Sequence, residues 1–227
     1  MTHLDETTKQ FLRPTVVVDS DNPIIVSYAA KVLNNVVDPV ERARKLFYAI
    51  RDNIVYDAKV PFYLPEHYVA STILKNGRGY CVQKACLLCA VGRASGIPSR
   101  LGFANIRNYG ASQELIDLMG TNIFAYHGYT EFLLKGTWIK VTPAFDMTVF
   151  GKHNIEPVEF DGVHDAVFPP HDLSGNPYVE YMTYHKTSAD LPLNDLLAEW
   201  RAIYGEDRVK FWMEMFEEHF KSISESV

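Results

Sequence analysis

All three cysteines of the chain, Cys81, Cys86 and Cys89, fall within one stretch, and they are not equivalent. Cys81 follows a glycine-bearing approach, Gly77-Arg78-Gly79-Tyr80, and opens a run to Ala94 that has no proline and is built of Ala, Leu, Cys and Val. Only Gln83, Lys84 and Arg93 interrupt its apolar surface, the signature of a helix buried on nearly all sides. Gly96 and Pro98 end it. A thiol in the first turn faces unpaired backbone N–H groups and the positive end of the helix dipole, an environment that lowers its pKa. Cys81 is therefore expected to be a nucleophile present as thiolate, and covalent catalysis is the chemistry to look for. Cys86 and Cys89 lie mid-helix and are expected in the core. A continuous helix does not offer them zinc-site geometry.

Gly79-Tyr80-Cys81 with the following Ala/Leu/Cys helix, then Arg93-Ala94-Ser95-Gly96-Ile97-Pro98-Ser99-Arg100, resembles the core of the transglutaminase-like superfamily. The second half of that pattern is Tyr126-His127-Gly128-Tyr129-Thr130-Glu131-Phe132, followed by Gly136-Thr137-Trp138-Ile139-Lys140-Val141-Thr142-Pro143. The resemblance spans roughly Ala43 to Asp146. It implies an α+β, papain-like fold with the nucleophilic Cys81 at a helix start packed on an antiparallel sheet. It also assigns His127, at the head of a strand, as the base. The other histidines (His3, His67, His153, His164, His171, His185 and His219) fall in loops, at termini or on late elements.

The third member departs from the family pattern. The acid that the resemblance places just before the proline is here Thr142, and the nearest carboxylate is Asp146. A two-residue hairpin at Lys135-Gly136 pairs Leu134 with Thr137 and sets His127 opposite Ala144. Thr142 and Asp146 then both lie diagonal to the imidazole on one face. A carboxylate stabilises an imidazolium and a hydroxyl does not, so Asp146 is expected as the orienting acid. Tyr80, Gln83 and Thr142 are candidates for the oxyanion or substrate pocket, beside the backbone N–H of Cys81.

Around these residues the chain reads as a helical first half. Thr15 to Val18 suit a short edge strand, and Asp19 to Asp21 offer caps for a helix with Pro23 in its first turn, running to about Val37. Asp38, Pro39 and Glu41 start a second helix, with apolar residues at helical spacing from Val40 to Ile54. A loop from Tyr56 to Pro65 and a short helix from Val69 to Lys75 lead to Cys81. After the central helix come a strand (Arg100 to Asn105) and an insertion (107 to 121) with a short helix between Ser112 and Gly120. Two strands follow, Phe124 to Leu134 and Thr137 to Val141. A long Pro- and Gly-bearing loop (143 to 177) wraps the body, a late strand spans Tyr178 to Lys186, and helices run from Pro192 with a break at Gly205. The catalytic domain is expected over 1–190, with 191–227 a helical extension packed on it through Val209, Trp212, Met215, Phe216 and Phe220. A homodimer through that stripe is the other use for it.

At 227 residues the chain suits one domain. A formal net charge of −6 with no basic run argues against a nucleic-acid or anionic-membrane partner. No apolar stretch reaches the roughly 20 residues of a membrane span, and the N-terminus lacks a signal-peptide pattern. A reducing cytoplasm is the expected compartment. No cofactor or metal is implied. The expected function is acyl transfer on a peptide or small amide through a Cys81 thioester, with hydrolysis favoured over cross-linking. A binding module that keeps the fold without the chemistry is the second reading, and Thr142 is its best support.

Overall fold

In the computed structural model, residues 5–152 and 154–224 are described; His3 and His153 lie outside them. Two short pieces, α1 (Glu6–Lys9) and a single 3₁₀ turn, lead to α2 (Pro23–Leu33) and α3 (Pro39–Asn53). α2 is capped by Asn22, whose side chain accepts from the N–H of Ile24, and Asn34 in left-handed conformation ends it, ahead of the expected Val37. Asp38 caps α3 by accepting from the N–H groups of Val40 and Glu41, as the Asp-Pro-Val-Glu motif anticipates. Thr15 to Val18 form a turn closed by Thr15 N–H to the Val18 carbonyl, not the strand expected of a β-branched run. No strand pairs with it among the described residues; the Ala70 N–H donates to the Val17 carbonyl, and Asp190 accepts the Val16 and Val17 N–H groups.

A two-residue strand β1 (Val55–Tyr56) pairs in parallel with β2 (Arg78–Gly79), with α4 (Ala70–Asn76) between them. The central α5 (Cys81–Ala94) is buried from Val82 to Arg93. Its charged members are paired internally. Lys84 Nζ donates to the carbonyls of Arg51 and Ile54 at the C-terminus of α3. Arg93 donates to the carbonyls of Ser99, Arg13 and Ala189.

α5 lies on a four-stranded antiparallel sheet ordered β5-β4-β3-β6, made of β3 (Ser99–Asn108), β4 (Ile123–Leu134), β5 (Thr137–Val141) and β6 (Val179–Tyr184). The β4–β5 hairpin closes on Lys135 and Gly136, both at positive φ, and pairs Leu134 with Thr137, the expected register. The insertion after β3 holds α6 (Gln113–Met119), capped by Ser112 and ended by left-handed Gly120. The loop after β5 contains a helix the sequence did not suggest, α7 (Met147–Lys152). It is strapped to α3 by Arg51 Nη1 to the Val158 carbonyl and Arg44 Nε to the Phe160 carbonyl. α8 (Leu193–Tyr204) and α9 (Glu206–Ser224) bury Trp200, Val209, Trp212 and Phe216 against Phe62 and one another, so the C-terminal stripe packs on the chain's own body.

Candidate active site

α5 approaches β4 so closely that a side chain at Gly128 would place its Cβ 2.7 Å from the Cα of Val82. That approach puts the first turn of α5 over the sheet beside His127. Cys81 is half-buried, and the backbone N–H groups of Gly128, Val82 and Cys81 itself hydrogen-bond toward its sulfur. Burial outweighs them and pushes the thiol up to about 11. The expected resting thiolate is thus corrected: desolvation exceeds the helix-dipole effect, and Cys81 rests as a neutral thiol. Cys86 and Cys89 are buried and their pKa values are raised as well, so acidity does not single out Cys81; access does.

His127 is buried, with its ring tilted on Phe168 at 5.2 Å between centroids, and burial lowers its pKa to about 3. Its Nε2 lies 3.2 Å from Oγ1 of Thr142, itself buried. Thr142 reaches that position because β5 ends at Val141 and the Thr142 N–H turns to the Ala166 carbonyl.

Asp146 does not serve as the partner of His127. One carboxylate oxygen accepts from the Tyr56 N–H at 2.7 Å, the other from the N–H groups of Thr148 and Val149. Burial alone would raise its pKa, but those three donors and the charge of Lys84 hold it below the usual range. Pro143 takes the chain out of the ladder, so the diagonal relation to His127 survives for Thr142 and is lost for Asp146. Asp146 instead starts α7 and ties it to β1.

Tyr80 and Gln83 are corrected in role as well. The Tyr80 hydroxyl lies 2.7 Å from that of Tyr68, which donates to the Phe62 carbonyl, so the Tyr80 proton is engaged there. Gln83 accepts from the Tyr80 N–H and donates to the carbonyls of Pro61 and His67. Neither has a free donor for an oxyanion, although the Tyr80 ring lines the site. The exposed pair Asp161–His164 forms a surface turn away from the site.

Cys81 and His127 share the wall of one cavity of about 290 Å³. Its other walls come from elements that sequence patterns did not connect to the chemistry: Tyr56 on β1, Leu118 on α6, and Trp200, Trp212 and Phe216 on the C-terminal helices. A double irregularity in the sheet also escaped the sequence. Opposite Asn105 of β3, both β4 and β6 carry an extra residue, and Tyr126, immediately before His127, has a φ of 56°. The displaced backbone is satisfied by side chains. Tyr126 N–H donates to Asn105 Oδ1, Ala125 N–H donates to the Tyr204 hydroxyl, and Trp200 Nε1 donates to the Ala125 carbonyl.

A helix-start cysteine set against a strand-borne histidine on an antiparallel sheet defines the papain-like class of cysteine proteins. Within it, the chain belongs to the transglutaminase-like superfamily, whose family model matches residues 26–143, just over half of the sequence. That membership supports cysteine-dependent acyl transfer or hydrolysis at the level of the family. The structure is similar to that of a candidate cysteine protease from Cytophaga hutchinsonii, at 16% identity and TM-score 0.49, over 82% of this chain and 55% of that one. It is also similar to the periplasmic domain of TgpA from Pseudomonas aeruginosa, at 21% identity and TM-score 0.44, over 62% of this chain and 48% of that one. The chain thus spans about half the length of these solved structures. No curated protein matches it.

Proposed function

We propose that the protein is a cysteine-dependent amidase or peptidase acting through a Cys81 thioester. The observation that carries this reading is the pairing of a thiol at the α5 N-terminus with an imidazole in the same cavity whose Nε2 is held by Thr142. Because Nε2 faces Thr142 Oγ1, Nδ1 is the ring atom left to act as base. The active tautomer in this reading carries its proton on Nε2, donated to the hydroxyl, with the lone pair on Nδ1. Nδ1 takes the Sγ proton as sulfur bonds to the substrate carbonyl carbon. The tetrahedral intermediate then collapses, the C–N bond breaks, and the imidazolium returns its proton to the leaving amine. Water repeats the sequence on the thioester, releasing the acid and restoring the thiol. The oxyanion takes the Cys81 N–H as one donor and the phenol of Tyr56 as the second. Tyr56 lines the cavity, and burial raises its pKa, so its proton stays in place.

Thr142 favours a neutral thiol–imidazole pair over a preformed ion pair, because it offers no charge to the imidazolium. This agrees with burial pushing the thiol up to about 11 and the imidazole down to about 3. Proton transfer then accompanies attack rather than preceding it. The test is acid-quench trapping with a panel of 4-nitroanilides, read by intact mass. An acyl adduct on Cys81 that disappears in Cys81→Ser and fails to accumulate in His127→Gln is expected. Absence of adduct and turnover in a folded protein would replace this reading with the binding-module one. Added glycinamide should leave the free acid as main product; a dominant amide product would make the protein a transferase.

A further inference from the structure

We infer that the cavity beside Cys81 selects an uncharged amide whose acyl group carries an aromatic ring, of about the size of a phenylpropionyl group. This deepens the proposed function and rests on it for the word substrate, while the ligand preference stands on the cavity itself. Among the described residues that line the cavity, none is Asp, Glu, Lys or Arg. The polar groups on its wall are neutral, the Cys81 thiol and the His127 imidazole included. A charged side chain entering such a space loses its hydration and meets no partner of opposite sign.

The wall is also ring-rich. Tyr56, Tyr80, Phe145 and Phe168 face it from the catalytic half, and Trp200 and Phe216 from the C-terminal helices. Several of these rings already meet edge to face or tilted, as Tyr56 with Phe145 at 4.9 Å and Phe145 with Phe168 at 4.7 Å. A further ring extends that arrangement with the geometry aromatic pairs prefer. Size supports the same choice. An apolar cavity of about 150 Å³ accommodates benzene, so about 290 Å³ has room for a ring with its two-carbon tether and carbonyl. α6 closes the outer side with Leu115, Leu118 and Met119. It has no buried residue of its own and is held by Arg208 Nη1 donating to the carbonyls of Asp117 and Leu118. Leu118 and Met119 touch the core while only partly buried, so a substitution at Leu118 alters the cavity wall while the backbone anchor of α6 stays in place.

The experiment measures binding to the Cys81→Ser protein, where no turnover occurs, through the emission of Trp200 and Trp212. The probes are 3-phenylpropionamide, succinamate and 4-aminobutanamide. The neutral aromatic amide is expected to bind at least about ten-fold more tightly than either charged one. Adding Leu118→Lys should narrow or invert its advantage over succinamate. Equal or tighter binding of a charged probe to the unaltered cavity overturns the inference, as does an unchanged preference in Leu118→Lys. The two readings fail separately. If 3-phenylpropionamide binds selectively but no acyl adduct forms on Cys81 of the wild-type chain, the enzyme reading falls and the cavity preference stands. If adducts form but binding ignores charge and ring, the reverse holds.

Discussion

Nε2 of His127 and Oγ1 of Thr142 lie 3.2 Å apart inside the protein, so the ring is oriented by a hydroxyl. Orientation and charge stabilisation, which one carboxylate commonly supplies together, are separated here. Restoring the charge is the direct test. Thr142→Asp is expected to raise the imidazole's pKa from about 3 and to increase Cys81 alkylation by iodoacetamide at pH 7 by roughly ten-fold or more. Thr142→Val should slow it, because the ring then loses its fixed tautomer. If all three proteins react alike, Thr142 does not act through His127.

Asp146→Asn separates a structural carboxylate from a catalytic one. It leaves the pH profile of Cys81 alkylation unchanged, since His127 does not use Asp146. It lowers stability by about 1–3 kcal/mol, because three backbone donors lose a charged acceptor. Denaturant midpoints and the alkylation profile check the two halves. A shifted profile at unchanged stability would return Asp146 to the catalytic site.

Reactivity of the thiols should follow access rather than acidity. Cys81 and Cys89 are both pushed up to about 11 by burial, yet only Cys81 opens to the cavity. Limiting iodoacetamide should label Cys81 first, at a rate still climbing between pH 8 and pH 10. A plateau below pH 7 would mean a preformed ion pair, contrary to the neutral pair argued above.

Lys84 provides a stability signature. Burial lowers its pKa to about 7, against about 10.4 in an unfolded chain. Between those values the unfolded state holds a proton that the folded state has released, so this group's contribution raises stability as pH increases. The buried thiols act oppositely in alkaline solution, since the folded state keeps their protons. The difference between wild type and Lys84→Met isolates the lysine: from pH 7 to 10 the wild type should gain stability relative to the variant. Parallel curves would show that Lys84 titrates normally.

Legibility followed the range of the interactions. The Asp38 cap, the Lys135-Gly136 hairpin and the apolar α5 are fixed by neighbours in sequence, and they were readable. Thr142 and Asp146 were equivalent by register arithmetic, and what distinguished them was the departure of the chain at Pro143 toward Tyr56, about 90 residues upstream. The acidity of Cys81 is not legible in the sequence, because the dipole is visible there and the depth of burial is not. The ring wall from α8 and α9 is legible in the sequence only as an apolar stripe, since nothing local links Trp200 to His127.

That link gives the last prediction. Ala125 and Tyr126 bulge from β4 immediately before His127, and their displaced N–H groups take partners outside the ladder, Tyr204 and Asn105. The Ala125 carbonyl accepts from Trp200 Nε1. A left-handed non-glycine residue such as Tyr126 costs about 1–3 kcal/mol and persists only where its surroundings over-determine it. Tyr204→Phe removes the hydroxyl that serves the Ala125 N–H while keeping the ring in the cavity wall. It is expected to cost about 1–3 kcal/mol in stability, and to slow turnover with little change in KM, because the bulge sets where the imidazole points. A second substitution on the same helix, Glu199→Gln, keeps a side-chain acceptor for the Asn105 amide and should leave turnover near wild type. Loss of stability in Tyr204→Phe with an unaltered kcat would reduce the bulge to a packing feature and leave His127 positioned by Thr142 alone.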